Sequence, residues 1–280
     1  MSNFPTQVRR KAGGILRGLA NVTQKPRSGG RVFGVGAAKT GTHTLGEMFG
    51  DQLATAHELD SERLIEFILH RESVANCNNT ALLTYLRRRD RWRRLTIDAS
   101  QVNIYLIDEL ERLFCDNRYV LTVRSPATWL RSIIDDSLRR NTSLTWIRFR
   151  DFRFGAPCES MGAEAPLAKA GLYGLDGYLG YWTDAIQRVT SRVPPERLLV
   201  MPTTQIGSRS AEIARFCGVP DPNRAPTTTH SFKNTTRSEV LGSLDPSYVE
   251  EHLEAVTGQV ARSVFPDWSA HEDLRKALTG

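Results

Sequence analysis

Lys39, Thr40, Thr42 and Thr44 crowd around Gly41 in Arg31-Val-Phe-Gly-Val-Gly-Ala-Ala-Lys-Thr-Gly-Thr-His-Thr-Leu-Gly-Glu-Met-Phe-Gly50. Successive backbone N–H groups in a tight turn form an anion nest, and glycine lets an anion come close to the chain. Lys39 adds a mobile positive charge, and the threonines add hydroxyls. These types together fit an anion cradle better than a plain glycine turn. A nucleoside-triphosphate loop would read G-x-x-x-x-G-K-[ST], but here the lysine precedes the second glycine, as Lys39-Thr40-Gly41-Thr42. Asp98 is the only fair candidate for a magnesium-binding acid at a strand end. A dinucleotide fingerprint also fails, because Gly34-Val-Gly36 has no third glycine at the required place.

The elements around the cradle follow from periodicity. Arg31–Val35 reads as a short buried strand, and Thr42–Phe49 as a helix with Leu45, Met48 and Phe49 on one face. Further helices are expected over 59–70 and 81–89, the latter with a very basic end at Arg87-Arg88-Arg89. Leu95–Ile97 is a strand closed by Asp98-Ala-Ser100, and 102–114 is a helix. Tyr119–Val123 is the strongest strand, apolar without clean alternation, as suits one covered on both faces. Pro126 then opens a helix to about Arg140. Residues 141–177, with five glycines, read as a partly irregular excursion. A helix over Tyr178–Ser191, a strand over Arg197–Met201, a helix over Ser208–Cys217 and a final helix over 247–264 complete the chain. Strands alternating with crossover helices predict a three-layer α/β sandwich with a mostly parallel central sheet. Ligands bind beyond the carboxyl ends of such strands, where Lys39, Asp98 and Arg124 would share a crevice.

Gly36-Ala-Ala-Lys39-Thr40-Gly41-Thr42-His43-Thr44-Leu45 resembles the 5′-phosphosulfate loop of sulfotransferases that use 3′-phosphoadenylyl sulfate (PAPS). The resemblance implies a fold like that of P-loop nucleoside-triphosphate hydrolases. It implies that Lys39 bonds the bridging oxygen and the sulfuryl group, while Ala38, Thr40, Gly41, Thr42, His43 and Thr44 line the 5′-phosphate site. His43 stands where the family often has Thr or Ser. A donor with a 3′-phosphate needs a second anion site. The family uses an arginine at a later strand end and a serine eight residues on, matched here by Arg124 and Ser132 in Val123-Arg-Ser-Pro126 and the helix behind it. The family's late basic segment is matched more loosely by His230–Arg237, with Lys233, Asn234 and Arg237 as further donor-binding candidates. No metal is required on this reading. Sulfuryl transfer does need a base for the acceptor hydroxyl or amine. Glu58 resembles the glutamate of carbohydrate-modifying members by position. His57 and Asp98 stay open as alternatives.

The composition excludes several other classes. No long apolar run suits a transmembrane span. Cys77, Cys115, Cys158 and Cys217 are far apart, without a C-x-x-C pair, which argues against structural zinc or a disulfide scaffold and for buried thiols in a reducing compartment. Much of the net charge of +6 sits in residues 1–31, which contain seven basic and no acidic residues. Residues 1–30 thus read as a solvated basic arm and 31–280 as one domain. A nucleic-acid partner is not expected, since charge is nearly balanced outside the arm. Arginine outnumbers lysine 31 to 6, which suits a bacterium with a GC-rich genome. The expectation is a bacterial cytoplasmic enzyme acting on a small-molecule, glycolipid or carbohydrate-like acceptor. Trp146, Phe149, Phe152 and Phe154, among Arg148, Arg150 and Arg153, would shape the acceptor side. The rival readings are a magnesium-dependent nucleotide kinase or triphosphatase with an atypical loop, and a non-catalytic binding member of the fold. Oligomeric state is left open.

Overall fold

The computed structural model describes Arg27 and residues 30–74, 78–139, 142–159, 162–224 and 238–279. Five parallel strands build the central sheet: β1 (Arg31–Gly34), β2 (Thr55–His57), β3 (Ile97–Ala99), β4 (Asn117–Val123) and β5 (Leu198–Pro202), in the order β2-β3-β1-β4-β5. β1 aligns Val32 with Ile97 of β3 and Phe33 with Tyr119 of β4. Successive strand residues point to opposite faces, so the sheet splits the core. Val32, Ile97, Val120 and Met201 pack on one face with Leu45, Phe49 and Ile213. Phe33, Tyr119, Leu121 and Val123 pack on the other with Leu64, Trp129 and Tyr178.

The first face is covered by α1 (Thr42–Glu47) and by α9 (Ser210–Cys217), which stops at Gly218 with φ 69°. The second face holds α2 (Ser61–Ser73), α3 (Thr80–Arg93), α4 (Ile107–Leu113), α5 (Pro126–Arg139), α6 (Leu144–Phe154) and α8 (Leu175–Thr190), with the short α7 (Ala165–Lys169) between the last two. α10 (Pro246–His252), capped by the Asp245 carboxylate on Tyr248 N, runs through a π-helical segment, Leu253–Thr257, into α11 (Gly258–Val264). α12 (Ala270–Thr279) packs on α5.

The strand and helix sequence expected from periodicity is present, with five differences. β2 was not anticipated, because three half-buried edge residues carry too little apolar signal. The expected helix over 102–114 opens as a 3-10 helix, Gln101–Leu106, before α4. The excursion is more regular than its glycines suggested, because Trp146 and Phe149 give α6 a face to bury against the core. The helix expected over 247–264 is interrupted by the π-helical segment, and α12 follows it. Asp98 does not close its strand: it is the middle residue of β3, facing the second layer in register with Phe33. Cys77 lies outside the described residues, and the other thiols are not uniformly buried, since Cys217 is buried, Cys158 half-buried and Cys115 exposed. No described helix is long and apolar enough to cross a membrane.

Candidate active site

The cradle lies in the Gly36–Gly41 turn, beyond the carboxyl end of β1. Its carbonyls are tied from behind. The Thr40 hydroxyl donates to Ala37 O at 2.7 Å, the Trp129 indole N–H to Ala38 O at 2.8 Å, and the Thr203 hydroxyl to Thr40 O at 2.5 Å. A trans peptide holds each N–H opposite its carbonyl. Pinning these three oxygens therefore aims the N–H groups of Ala38, Lys39 and Gly41 away from the anchors. Lys39 and Gly41 both take positive φ, 68° and 105°, on either side of Thr40, the kind of backbone sequence that makes a nest. Gly36 has no room for a side chain, since a Cβ would run into the Thr122 and Thr40 hydroxyls, themselves 2.9 Å apart.

The side chains of the turn divide by role. The Thr40 hydroxyl is buried and spent on this scaffold. Thr42 Oγ1 lies 3.2 Å from His57 Nε2. The rings of His43 and His57 meet edge to face at 4.8 Å, and His43 Nε2 lies 3.3 Å from Glu47 Oε1. Thr44 is half-buried on α1. Lys39 Nζ stands 3.3 Å from Asp136 Oδ1 on α5.

The end of β4 supplies the second group of candidates. Thr203 joins it to the cradle: the hydroxyl that reaches Thr40 O also lies 3.1 Å from Val123 O, one residue before Arg124. The Arg124 carbonyl is fixed by the Trp182 indole at 3.0 Å, and its Nε reaches the Thr128 hydroxyl at 3.3 Å. Arg124 makes no ion pair among the described residues. Burial holds the Arg124 guanidinium below its ordinary pKa, opposed in part by Asp273. Ser132 is buried two turns into α5. One turn further, Asp135 Oδ1 accepts the N–H of Ser238 at 3.0 Å and its hydroxyl at 2.6 Å. Lys233, Asn234 and Arg237 lie outside the described residues, in the stretch that leads to this anchor.

The three candidate bases have different surroundings. Asp98 is 4% exposed and clamped by the Arg89 guanidinium, whose other contacts are Leu59 O and Asp60. Burial works against the Arg89 charge, but Asp98 and Asp60 overcome it and raise its pKa. A carboxylate so paired is a structural counter-ion. His57 ends β2 against Thr42 and His43. Glu58 follows it in the left-handed region, φ 51°, with its N–H on Ala99 O at 2.9 Å and its carbonyl accepting from Ser61. That conformation costs a non-glycine residue about 1 kcal/mol or more. Glu58 is half-buried, and Oε1 accepts a hydrogen bond from the Gln101 amide at 2.5 Å. Gln101, Arg153, Asp136, Trp129 and Thr203 were not singled out for these contacts from sequence. Arg153 was noted only among the excursion's aromatics, and no local spacing marks the other four.

Comparison with known proteins follows the same lines. A protein-family model described as a sulfotransferase domain matches residues 31–237. A comparison with curated proteins gives no match. Among solved structures, a sulfotransferase from Alicyclobacillus acidocaldarius is 15% identical, with a TM-score of 0.43, over 86% of this chain and 100% of that one. The sulfotransferase domain from the curacin biosynthetic pathway is 13% identical, with a TM-score of 0.46, over 84% and 98%. The sulfotransferase domain of a Synechococcus olefin synthase is 14% identical, with a TM-score of 0.34, over 91% and 96%. The family match spans most of the chain, from β1 to the residue before Ser238, and the chain belongs to the sulfotransferase domain family.

Proposed function

We propose that the protein transfers a sulfuryl group from PAPS to an acceptor hydroxyl. The observation that carries this reading is the Thr203 hydroxyl, which lies within hydrogen-bond distance of both Thr40 O and Val123 O and so holds the two candidate anion-binding segments side by side. A donor with phosphates at both its 5′ and 3′ positions needs two such segments. The residues fit it. The cradle N–H groups and Lys39 suit the 5′-phosphosulfate, and Arg124, desolvated without a carboxylate partner among the described residues, suits the 3′-phosphate. Ser132, buried two turns into α5, is assigned to complete that grip. The Asp135–Ser238 anchor brings the chain after Arg237 back to the same helix, which supports Lys233, Asn234 and Arg237 as donor contacts.

The donor supplies an activated sulfuryl group. Lys39 and the cradle N–H groups stabilise charge as it grows on the leaving phosphate oxygen. The acceptor proton needs a base. We assign it to Glu58, because Asp98 is committed to Arg89, while among the described residues the Glu58 carboxylate takes its hydrogen bond from a neutral amide. His57, beside Thr42, orients the cradle side of the site. The fold likeness to P-loop nucleotide hydrolases belongs to the same reading, without its magnesium chemistry.

Calorimetric titration with adenosine 3′,5′-bisphosphate tests it, with ADP and ATP–Mg²⁺ as controls. Micromolar, metal-free binding of the bisphosphate, much tighter than ADP, is expected. Preference for ATP–Mg²⁺ would replace this reading with a kinase or triphosphatase.

A further inference from the structure

Gln101 stands between two charges. Its Nε2 lies 2.5 Å from Glu58 Oε1, and its Oε1 lies 2.6 Å from Arg153 Nη1. The amide has a single orientation that satisfies both neighbours. A carboxylate only accepts and a guanidinium only donates, so the NH₂ group must face Glu58 and the oxygen must face Arg153. Gln101 is 7% exposed and opens the 3-10 helix capped by the Ser100 hydroxyl on Val102 N. Its backbone is therefore fixed. Arg153 is fixed as well. Its Nε donates to Phe149 O at 3.2 Å, and its guanidinium lies over the rings of Phe149, Phe154 and Tyr181 at 4.5, 5.0 and 5.2 Å. The chain Arg153–Gln101–Glu58 thus runs from α6 to the end of β2 with both ends held.

We propose that Gln101 and Arg153 are positioning residues for Glu58, an inference that rests on Glu58 being the base. The arrangement orients a carboxylate without neutralising it. Asp98 shows the alternative in the same molecule, where a guanidinium binds the carboxylate directly and occupies both oxygens. At Glu58 a neutral amide intervenes. It occupies Oε1, while Oε2 makes no hydrogen bond among the described residues. Oε2 is then the atom that takes the acceptor proton. In that step the acceptor oxygen bonds to sulfur, the bond from sulfur to the 5′-phosphate oxygen breaks, its electron pair leaves on the phosphate, and the proton passes to Oε2. Arg153 polarises the amide from its far side, which strengthens the grip on Oε1. It also makes α6, the helix of the acceptor-side excursion, part of the device that aims the base.

The test is a double-mutant cycle read by PAPS turnover, with a panel of phenol, sugar and alkyl alcohol acceptors from which the best is fixed. Gln101→Leu should lower kcat by about 10- to 100-fold, the scale of a misplaced reacting group. The Kd for adenosine 3′,5′-bisphosphate should stay within twofold. In a Glu58→Gln background the same change should cost less than twofold, because the group it positions is already gone. Arg153→Lys should recover more turnover than Arg153→Met. Equal losses from Gln101→Leu in both backgrounds, or none in either, would overturn the positioning role while leaving Glu58 as base. Near-normal turnover of Glu58→Gln, or no PAPS turnover by the wild type with any acceptor, would overturn the reading beneath it. If Gln101→Leu loses bisphosphate binding through misfolding, the cycle is run with Arg153→Met, judged by the same outcomes.

Discussion

Lys39 Nζ meets Asp136 Oδ1 at 3.3 Å, so the cation of the cradle already has a carboxylate beside it. Asp136 is 7% exposed and belongs to α5, the helix that also carries Ser132. An anionic donor at Lys39 must share that cation with Asp136. Asp136→Asn removes the competing charge and should tighten adenosine 3′,5′-bisphosphate by about 10-fold or more, since a unit charge about 8 Å away is worth about 2 kcal/mol at an effective dielectric constant near 20. Calorimetry measures it. Weaker binding would show that Asp136 serves mainly to hold Lys39 in place.

Arg124 gives a ligand-specific expectation. Its guanidinium is desolvated and has no ion pair among the described residues, so a phosphate there gains a charge-assisted bond without displacing a protein carboxylate. Arg124→Met should weaken adenosine 3′,5′-bisphosphate by about 10- to 100-fold, the scale of losing hydrogen bonds to a charged group. Adenosine 5′-phosphate, which lacks the 3′ group, should bind almost as before. Equal loss for both ligands would remove Arg124 from the 3′-phosphate site.

The sheet was legible because its central strands are continuous apolar runs and its turns carry strong local chemistry. Gly36 to Gly41 announced the cradle, and Pro126 announced α5. The parts that were not legible depend on distant partners. Asp98 looked like a strand-end acid, and only the packing of α3 shows that Arg89 claims it. Gln101 has no sequence signal at all, because its meaning comes from Glu58, 43 residues earlier, and Arg153, 52 residues later. α12 was missed because its apolar content, chiefly Leu274 and Ala277, is small. Its attachment to α5 adds non-local polar bonds, at Asp273 and at Ala277 O, to the burial of those two side chains.

Asp90 predicts how stability changes with acid. It takes hydrogen bonds from Arg27 and, at 3.0 Å twice, from Arg31. Burial alone would raise its pKa, but the two guanidinium groups outweigh burial and hold it below 3.8. A depressed carboxylate stabilises the fold above its unfolded-state pKa, and that stability fades as pH falls through the folded value. The loss should therefore set in below about pH 4. Asp90→Asn should lower stability near neutral pH by about 1 kcal/mol and flatten the acid limb, as read by urea midpoints at a series of pH values. An acid limb with unchanged slope would assign it to other carboxylates.

Asp273 joins the end of the chain to the start of α5. Its Oδ2 accepts from Ala127 N at 2.9 Å and from the Trp268 indole at 2.9 Å, while Oδ1 accepts from the Ser125 hydroxyl at 2.5 Å. A carboxylate from α12 thus performs the N-cap role for α5, which no residue next to Pro126 fills. The Arg131 guanidinium returns the contact by donating to Ala277 O. Asp273→Ala leaves an exposed-to-buried mismatch: three donors lose their acceptor in a site that is 4% exposed. The expected cost is about 3 kcal/mol, combining a lost cap with unsatisfied buried donors. Asp273→Asn keeps one carbonyl oxygen and should lose less. Because Ser125 directly follows Arg124 and Ala127 lies three residues beyond it, the alanine variant should also weaken the 3′,5′-bisphosphate more than adenosine 5′-phosphate. Urea unfolding and the paired titrations check both effects. A wild-type urea midpoint in Asp273→Ala would show that these three bonds contribute no net stability, and an equal loss for the two ligands would separate α12 from the 3′-phosphate site.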